Sequence, residues 1–344
     1  MHTLHQRVLA LGDRTGVGEG RRIAARFARA LDFSETAAGA LAVVVTEAAT
    51  NIVKHVGSGE LVFRALRRGT VGGVEVLALD QGPGILNPGQ AMRDGHSTAG
   101  SAGTGLGAMQ RMAAECAVHS TPGKGVALRL VVWADGAPSP RHDGMQVGAV
   151  CLPKPGEEVS GDSWSIADAD RGELLCVVDG LGHGPDAAAA AKTAVAAVRE
   201  AWPRATEVAK VMETVHLALR PTRGAAVAVA LLHAGEPLCS FCGVGNISAC
   251  LLANGHSRSM VSYNGILGHQ ARKIQSFTYP LAEEALCVLH SDGLRSRWRL
   301  GDYPGLERAH AGLIAAVLYR DYARRRDDIT VVVVRRGRTE RCAS

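Results

Sequence analysis

Aromatic residues and long apolar runs are scarce in this chain. Phe, Trp and Tyr make up only 4% of its 344 residues, whereas 41 residues are glycine, so its cores are expected to depend on Val, Leu and Ala. The longest uninterrupted apolar run, at 225–232, is far shorter than the roughly 20 residues of a membrane-spanning helix. Asp13 and Arg14 stand where a signal peptide would be apolar. The sequence therefore predicts a cytoplasmic protein with no membrane partner.

Patterns typical of disulfide-rich, zinc-binding or nucleic-acid-binding proteins are also missing. The eight cysteines lie at irregular positions, mostly inside apolar runs, which indicates reduced core thiols. Cys239 and Cys242 have the spacing of half a zinc site, but no second pair accompanies them. The net charge of +5 comes from scattered short pairs of basic residues without interleaved aromatics, so no nucleic-acid partner is expected.

Length and composition predict two domains of the α+β class. The chain exceeds the roughly 100 to 200 residues of a single domain. The stretch at 136–146 is rich in turn-forming residues and lacks apolar periodicity, so we predict a linker there, between a first domain at 1–135 and a second at 147–338. In the first domain, the pattern predicts two layers, helices on an antiparallel or mixed sheet. Its predicted elements are helices at 19–31, 34–55 and 108–116 and strands at 61–66, 74–79 and 126–132.

The second domain alternates runs of strands with long helices, which favours an α/β sandwich over a doubly wound sheet. The predicted strands lie at 147–152, 173–178, 225–232, 238–252, 285–290 and 329–335. The predicted helices lie at 186–202, 206–219 and 306–322. Each domain is long enough to bury a core of its own.

One helix of the first domain carries residues with the chemistry of a nucleotide site. Glu47, Asn51 and His55 recur every four residues and so project from one helical face. A carboxylate and an amide on one face could serve as a base and a metal ligand. The same three residues could equally form a solvated face, so the helix alone does not decide between the two.

Two glycine-rich segments follow that helix. Asp80 comes at the end of a predicted strand, and Gly82 and Gly84 would let the backbone approach a ligand, although an ordinary turn has the same composition. Residues 103–107 open a predicted helix, where backbone N–H groups and the helix dipole can bind phosphate. This segment fits the dinucleotide pattern GxGxxA, but no buried strand precedes it and no Walker A sequence is present, so a Rossmann site is not expected.

These three pieces, in this order, resemble the N, G1 and G2 boxes of the GHKL ATPases. The sequences TEAATNIVKH, LDQGPGI and GTGLGAMQRMAAECAVHSTPGKG are similar to the RsbT-like anti-sigma-factor serine kinases, over roughly residues 5–133. The resemblance implies that ATP with Mg²⁺ is bound, with Glu47 as the general base, Asn51 as the Mg²⁺ ligand and Asp80 as the residue that binds the adenine amino group. The other ATP-binding residues that it implies are Gly82, Gly84, Gly103, Thr104, Gly105, Leu106 and Gly107. Val126 and Ala127 depart from the threonines usual in these kinases, which leaves the strength of ATP binding open.

Four acidic segments of the second domain have the chemistry of a metal site. They lie at 160–163, 178–184, 291–293 and 327–330, and three of them adjoin apolar strands. Each Asp-Gly pair alone is an ordinary turn signal. Carboxylates at strand ends can nevertheless converge at one edge of a sandwich, and hard oxygen ligands suit two Mg²⁺ or Mn²⁺ ions that activate water for attack on a phosphoester.

This series, with CGVGNISACLL and DDITVVVVRR, resembles the SpoIIE/RsbX-like branch of the PPM protein phosphatases over roughly residues 146–336. The resemblance implies an α/β/β/α sandwich that holds two Mn²⁺ or Mg²⁺ ions. The metal ligands that it implies are Asp162, Asp179, the carbonyl of Gly180, Asp292 and Asp327, with Asp328 in a supporting role. Many family members carry a histidine general acid directly after Asp-Gly, but here Leu181 stands there, so His183 could either orient the loop or protonate the leaving group.

Together the two resemblances imply a bifunctional regulator. The first domain is expected to phosphorylate Ser or Thr of a partner, a STAS-domain antagonist of the stressosome type, and the second to remove phosphate from the same or a related protein. Two alternatives stay open: the first domain could be a nucleotide-dependent docking surface that sequesters a partner, or the second could hydrolyse a small phosphorylated metabolite. Glu47 argues against docking, because docking needs no base. The sequence does not determine the oligomeric state.

Overall fold

The computed structural model of this chain describes residues 6–91, 105–135 and 145–337, and these fall into two compact units. The N-terminal unit contains residues 6–91 and 105–135 together with the segment Leu300–Arg320. The C-terminal unit contains residues 145–299 together with 321–337. Nearly all of the predicted linker at 136–146 lies outside the described residues.

The N-terminal unit has a helical layer on a five-stranded sheet. Its strands are β1 (Arg7–Leu11), β2 (Gly59–Arg68), β3 (Val71–Leu79), β4 (Glu115–Ser120) and β5 (Val126–Trp133), and its first helices are α1 (Thr15–Ala30), α2 (Glu35–His55), α3 (Pro88–Ala91) and α4 (Gly105–Met112). The strands lie in the order β1-β2-β3-β5-β4, and every neighbouring pair is antiparallel. The predicted two-layer arrangement is therefore confirmed, with an antiparallel rather than a mixed sheet.

Helix α2 begins at a capping serine and buries one face in the core of this unit. The hydroxyl of Ser34 accepts a hydrogen bond from the Ala37 N–H at 3.3 Å, which satisfies one of the free N–H groups of the first turn. Val44 and Ile52 are buried in the same core as strand residues such as Phe63, and each such side chain contributes about 1.5–3 kcal/mol. By length and composition alone α2 could cross a membrane, with a mean hydropathy of 1.5. In this structure its buried face belongs to the core.

The C-terminal unit contains two sheets and two helices. Its strands are β6 (Gln146–Leu152), β7 (Asp162–Ala169), β8 (Gly172–Gly180), β9 (Ala225–His233), β10 (Leu238–Val244), β11 (Ser248–Ala253), β12 (His256–Met260), β13 (Ser262–Tyr263), β14 (Phe277–Pro280), β15 (Leu286–His290) and β16 (Ile329–Arg335). Its helices are α5 (Pro185–Ala201) and α6 (Val208–Leu219). One sheet has the order β13-β10-β9-β8-β7, with β14 also paired to β10, and the other has the order β12-β11-β15-β16-β6.

Two hydrophobic cores hold this unit together. The first lies between the sheets, where Ile166 and Phe241 of one sheet pack with Leu289 of the other. The second lies under the helices, where Val198 and Val215 pack on strand residues such as Val229. The helix–sheet–sheet arrangement confirms the predicted sandwich, and it places the ends of β7, β8, β15 and β16 where their polar residues can meet.

The segment Leu300–Arg320, which we call the connecting segment, differs from the sequence-based domain boundaries. The second domain was predicted to run through 147–338, but this segment packs within the N-terminal unit. It contains two 3-10 turns and most of helix α7 (Ala311–Tyr322), and residues 311–320 are all buried. Because α7 is apolar on every side, its sequence pattern does not indicate which sheet it covers.

Several strands differ from the sequence-based elements for local reasons. The predicted strand at 238–252 is two strands of different sheets, β10 and β11, because the chain turns at Gly245, whose φ is +103°. β7 was missed because it buries the polar side chains of Asp162, Ser163 and Ser165, which hide the apolar alternation of a strand. β1 was missed as well, and the helix predicted to reach residue 116 ends at Met112, before β4.

Candidate nucleotide site and carboxylate cluster

Glu47 and Asn51 lie one turn apart on α2, and both are half-buried, whereas His55 is exposed. Within the described residues, neither Glu47 nor Asn51 has its side chain engaged in a hydrogen bond or an ion pair. Helix α2 packs against α4, the helix that follows the glycine segment, and both contribute to one core. The carboxylate and the amide are therefore held on a rigid element and remain available for a ligand.

Asp80 follows β3 directly and is buried. Its Oδ1 accepts hydrogen bonds from the N–H of Gly82 at 2.9 Å and of Val126 at 3.2 Å. Its other oxygen, Oδ2, takes part in no hydrogen bond within the described part of the chain. Two backbone donors therefore orient the carboxylate and leave one oxygen free to accept a hydrogen bond from an amino group.

Glycines around Asp80 allow the backbone to pack closely. A methyl group on Gly82 would lie 2.6 Å from a methyl of Val56, just beyond α2, and one on Gly84 would lie 2.7 Å from the carbonyl oxygen of Thr121. Gly84 also has a positive φ of +78°. The glycines thus hold the loop after Asp80, which we call the Asp80 loop (residues 80–85), between the end of α2 and the turn that joins β4 to β5.

The glycine segment is only partly described by the structure. Gly103 and Thr104, both predicted to bind ATP, lie outside the described residues. Gly105, Leu106 and Gly107 form the first turn of α4, as predicted for a phosphate-binding helix start. The side chain of Leu106 packs against the core, so only its backbone can face a phosphate.

In the C-terminal unit, two predicted metal ligands face each other across one strand pair. Asp162 begins β7, Asp179 is the last residue but one of β8, and the two are paired directly in the ladder. Asp162 is buried, and its Oδ2 accepts a hydrogen bond from the hydroxyl of Ser291 at 2.6 Å. Ser291 also accepts the N–H of Thr330 at 2.9 Å, so it links β7 to the ends of β15 and β16.

Asp292 and Asp327 join this pair electrostatically. Burial, followed by the charges of Asp292 and Asp327, raises the pKa of Asp179 to about 7. Burial and the neighbouring Asp179 also raise the pKa of Asp162. The structure therefore brings together Asp162, Asp179, Asp292 and Asp327, which we call the carboxylate cluster.

Asn246 belongs to this cluster, although sequence analysis did not single it out. Its Nδ2 donates a hydrogen bond to Asp292 Oδ2 at 2.8 Å, and its hydrogen bonding lowers the pKa of Asp179. The available signal was its place just after a strand, following the run Gly243–Val244–Gly245, but sequence analysis treated this stretch as the middle of one long strand. An amide at this position holds two carboxylates in a fixed arrangement.

Asp328, predicted to support the metal ligands, accepts hydrogen bonds from two backbone N–H groups. Its Oδ1 accepts the N–H of Lys154 at 2.7 Å, and its Oδ2 accepts the N–H of Gly161 at 2.8 Å. Both carboxylate oxygens are thus occupied by the backbone. Asp328 anchors the loop before Asp162, while its neighbour Asp327 is exposed.

Comparisons with known proteins match the two parts of the chain separately. Residues 13–132 match the family described as Histidine kinase-like ATPase domain, and residues 169–337 match Stage II sporulation protein E (SpoIIE). The serine/threonine-protein kinase RsbT of Bacillus subtilis (strain 168) is 29% identical over 113 residues, which are 33% of this chain and 85% of RsbT. The phosphoserine phosphatase RsbX of the same organism is 28% identical over 147 residues, which are 42% of this chain and 71% of RsbX.

One solved structure is similar to this chain over about half of its length. It is described as "The bacterial stressosome: a modular system that has been adapted to control secondary messenger signaling", and its chain is 29% identical with a TM-score of 0.51. The alignment covers 56% of this chain and 99% of that chain.

This chain joins a histidine kinase-like ATPase domain to a SpoIIE-type phosphatase domain. The predicted resemblances to these two families and the predicted α+β class are both confirmed. The SpoIIE match runs through the connecting segment, which here packs with the ATPase domain. The domains defined by sequence and the compact units of the structure therefore differ at that segment.

The SpoIIE-type domain provides a donor set that fits hard divalent cations. No group of three or more His, Cys, Asp or Glu side chains among the described residues is already arranged to hold an ion. The carboxylates are nonetheless close enough to raise each other's pKa values, and bound cations would relieve that repulsion. Carboxylate and carbonyl oxygens are the ligands that Mg²⁺ and Mn²⁺ prefer. The residues present therefore suit Mg²⁺ or Mn²⁺.

The histidine of the SpoIIE-type domain takes part in a loop contact. His183 Nδ1 lies 2.8 Å from Glu157 Oε1, and Gly184, the residue after it, caps α5 with a φ of +75°. Of the two roles that the sequence left open for His183, this contact favours orientation of the loop. It is a contact between two partly exposed side chains, so it contributes little to stability.

Proposed function

We propose that this chain is a bifunctional regulator that both phosphorylates and dephosphorylates a protein partner. The ATPase domain transfers the γ-phosphoryl group of ATP to a Ser or Thr hydroxyl, and the SpoIIE-type domain hydrolyses phosphoserine or phosphothreonine on the same or a related protein. The observation that carries the proposal is that each domain gathers its own reactive groups: Glu47 beside Asn51 on α2, and Asp162 opposite Asp179 on β7 and β8.

For the kinase half, three groups have separate tasks. Glu47 removes the proton of the attacking hydroxyl as the new P–O bond forms and ADP leaves. Asn51 would hold the Mg²⁺ that accompanies ATP, and the free Oδ2 of Asp80 would accept a hydrogen bond from the adenine amino group. Positioning and charge neutralisation are the main needs of phosphoryl transfer, so this small set is sufficient. The half-buried, unengaged side chains of Glu47 and Asn51 support this assignment.

For the phosphatase half, the chain supplies a rigid acidic edge. Asp162, Asp179, the carbonyl of Gly180, Asp292 and Asp327 would hold two Mn²⁺ or Mg²⁺ ions, which supply an activated water and neutralise the phosphate. Ser291 and Asn246 keep the carboxylates in place through their hydrogen bonds. Since the N–H of Gly180 donates to the carbonyl of Gly161 at 3.1 Å, the Gly180 backbone is held against the start of β7.

The partner class follows from likeness rather than from geometry. RsbT and RsbX are named as a kinase and a phosphatase, and the similar solved chain is described as part of the bacterial stressosome. A STAS-domain protein of an anti-sigma pathway is the partner that we propose. ATP as substrate is consistent with a cytoplasmic location.

The test uses the full chain with γ-labelled ATP, Mg²⁺ or Mn²⁺, and a purified STAS-domain protein. Glu47→Gln is expected to lower label incorporation at least about 100-fold, the contribution of a general base. Asp179→Asn is expected to let labelled partner accumulate, because removal of phosphate stops. Glu35→Gln, on the exposed first turn of α2, and Asp170→Asn, in the exposed turn between β7 and β8, are matched controls that should behave as wild type.

Each half can fail separately. Incorporation that is unaffected by Glu47→Gln would remove the kinase proposal. If wild type incorporates no label but binds the partner only when a nucleotide is present, the docking alternative replaces it. Unchanged hydrolysis of a pre-phosphorylated partner by Asp179→Asn would remove the phosphatase site. Turnover of small phosphorylated metabolites without any phosphoprotein would point to a metabolite hydrolase.

A further inference from the structure

The connecting segment contacts the Asp80 loop directly. Arg320, near its end, is buried and donates a hydrogen bond from Nη1 to the carbonyl oxygen of Asp80 at 3.0 Å. The side chain of Asp80 is the group assigned to adenine. A residue of the SpoIIE match thus fixes the backbone of the residue that is proposed to recognise the nucleotide.

The same segment also contacts the turn that supports the Asp80 loop. Lys124 lies in the turn between β4 and β5, and its Nζ donates to the carbonyl oxygen of Asp302 at 2.9 Å. That Nζ also lies 4.3 Å from the centre of the Tyr303 ring, within cation–π range. This turn and the end of β4 are hydrogen-bonded to the Asp80 loop. The N–H of Gly123 donates to the carbonyl of Pro83 at 2.8 Å, and the N–H of Ile85 donates to the hydroxyl of Ser120 at 2.7 Å.

Further contacts fasten the segment to the sheet of the N-terminal unit. The hydroxyl of Tyr319 donates to Glu60 Oε2 in β2 at 2.9 Å. Gly312 lies so close to β5 that a methyl group on it would be 2.7 Å from Arg129 Cδ. The segment therefore cannot shift without disturbing the sheet, the turn and the Asp80 loop together.

The connecting segment lies, along the chain, between two aspartates of the carboxylate cluster, Asp292 and Asp327. The chain before and after it pairs in a short stem within the C-terminal unit: the N–H of Arg295 donates to the carbonyl of Tyr322 at 2.9 Å, and the N–H of Arg324 to that of Gly293 at 2.8 Å. Gly293 and Arg324 are within three residues of these two aspartates. A displacement of the segment therefore reaches both aspartates through this stem.

We propose that the connecting segment couples the two active sites, so that nucleotide bound at Asp80 changes the arrangement of Asp292 and Asp327. This rests on the nucleotide-binding part of the proposed function. The ATP-bound and ATP-free states hold the Asp80 loop differently, and Arg320 and Lys124 pass the difference to the segment and its stem. By linkage, cations at the carboxylate cluster change nucleotide affinity by the same factor.

Hydrogen–deuterium exchange of the full chain tests this coupling without relying on activity. Exchange is followed in peptides that cover the stem, 290–297 and 321–328, with and without a non-hydrolysable ATP analogue at constant excess Mg²⁺. In wild type, saturation with the analogue is expected to change stem exchange at least about fivefold, the lower end of common allosteric couplings. Analogue binding is measured separately by equilibrium dialysis.

Lys124→Ala removes a surface contact with the segment without opening the core, so the variant should fold. It is expected to bind the analogue but to lose the change in the stem. Lys192→Ala, an exposed lysine of α5, is the matched control and should keep the full change. Binding without any stem response in wild type, or an undiminished response in Lys124→Ala, overturns the coupling and leaves the kinase proposal standing. Absence of analogue binding overturns both.

Discussion

Glu75 lies at the centre of a buried ionic cluster in the sheet of the N-terminal unit, and replacing it with glutamine should be costly. Its Oε2 lies 2.8 Å from Arg64 Nη2, and its Oε1 accepts a hydrogen bond from Arg129 Nε at 2.6 Å. The three side chains are at most 6% exposed. Arg129 also reaches Glu115 at 2.8 Å, but Glu115 is a third exposed. Glu75→Gln would leave Arg64 as a buried cation beside a neutral amide.

The expected size of the effect follows from this burial. Removing one partner of a buried ion pair costs about 3–5 kcal/mol. For a unit of roughly 150 residues, 1 kcal/mol shifts Tm by about 2–4 °C, so a fall of about 6–20 °C is expected. Burial alone would raise the pKa of Glu75, but Arg64 and Arg129 outweigh it and hold that pKa below its ordinary value of 4.5. The stabilisation is therefore present above about pH 4.5 and is lost as the pH falls further.

Scanning calorimetry of the full chain measures this effect, and deuterium exchange in β2 and β3 identifies the transition that belongs to the N-terminal unit. Glu115→Gln is the matched control: it removes the same charge from a partly exposed partner of Arg129 and should cost less than about 1 kcal/mol. Equal Tm values for Glu75→Gln and Glu115→Gln, or a fall under about 3 °C for the first, would refute the reasoning.

Three further outcomes are expected. Gly125→Ala should weaken binding of an ATP analogue at least about tenfold, because a methyl group there would collide with the Asp80 carbonyl, whereas Gly123→Ala, with a similar positive φ but open space, should bind normally in equilibrium dialysis. Ser291→Ala removes the 2.6 Å hydrogen bond to Asp162, so half-maximal phosphatase activity should need about 10–100-fold more Mn²⁺, and an exposed Ser259→Ala control should not change it. Burial and Arg129 lower the pKa of His310 from 6.5 to about 4, with Arg64 adding to the shift and Glu75 and Glu115 opposing it. His310 is therefore protonated at a higher pH in the unfolded chain than in the folded protein, so the free energy of unfolding should fall by about 3 kcal/mol between pH 6.5 and 4 in urea titrations. The same pH slope in His310→Asn as in wild type would contradict this.

Local patterns were sufficient to propose most of the candidate site. An apolar strand followed directly by Asp80, a glycine run that opens α4, and Asp179 next to the last residue of β8 are each encoded within a few neighbouring residues. Such short sequence patterns indicate which backbone conformations are possible and which polar groups a turn exposes. They also placed Asp328 beside the predicted ligand Asp327, and in the structure its carboxylate accepts two backbone hydrogen bonds.

Long-range contacts determined what the sequence could not. Asn246 was missed because its role depends on Asp292, 46 residues away, and Glu75 was missed because one acidic residue in an apolar strand does not reveal two arginines across the sheet. The pattern of β7 was hidden by its buried polar side chains, of which Asp162 belongs to the carboxylate cluster.

The sequence by itself indicated a histidine kinase-like ATPase domain and a SpoIIE-type domain, the positions of many of their helices and strands, and the aspartates and glycines available for chemistry, because these depend on local propensity and spacing. Only the tertiary structure decided that Leu300–Arg320 packs with the N-terminal unit. Helix α7 is apolar on every side, so burial alone would be satisfied by more than one surface. The contacts of Arg320, Tyr319 and Gly312 with the sheet and loops of the N-terminal unit favour packing there.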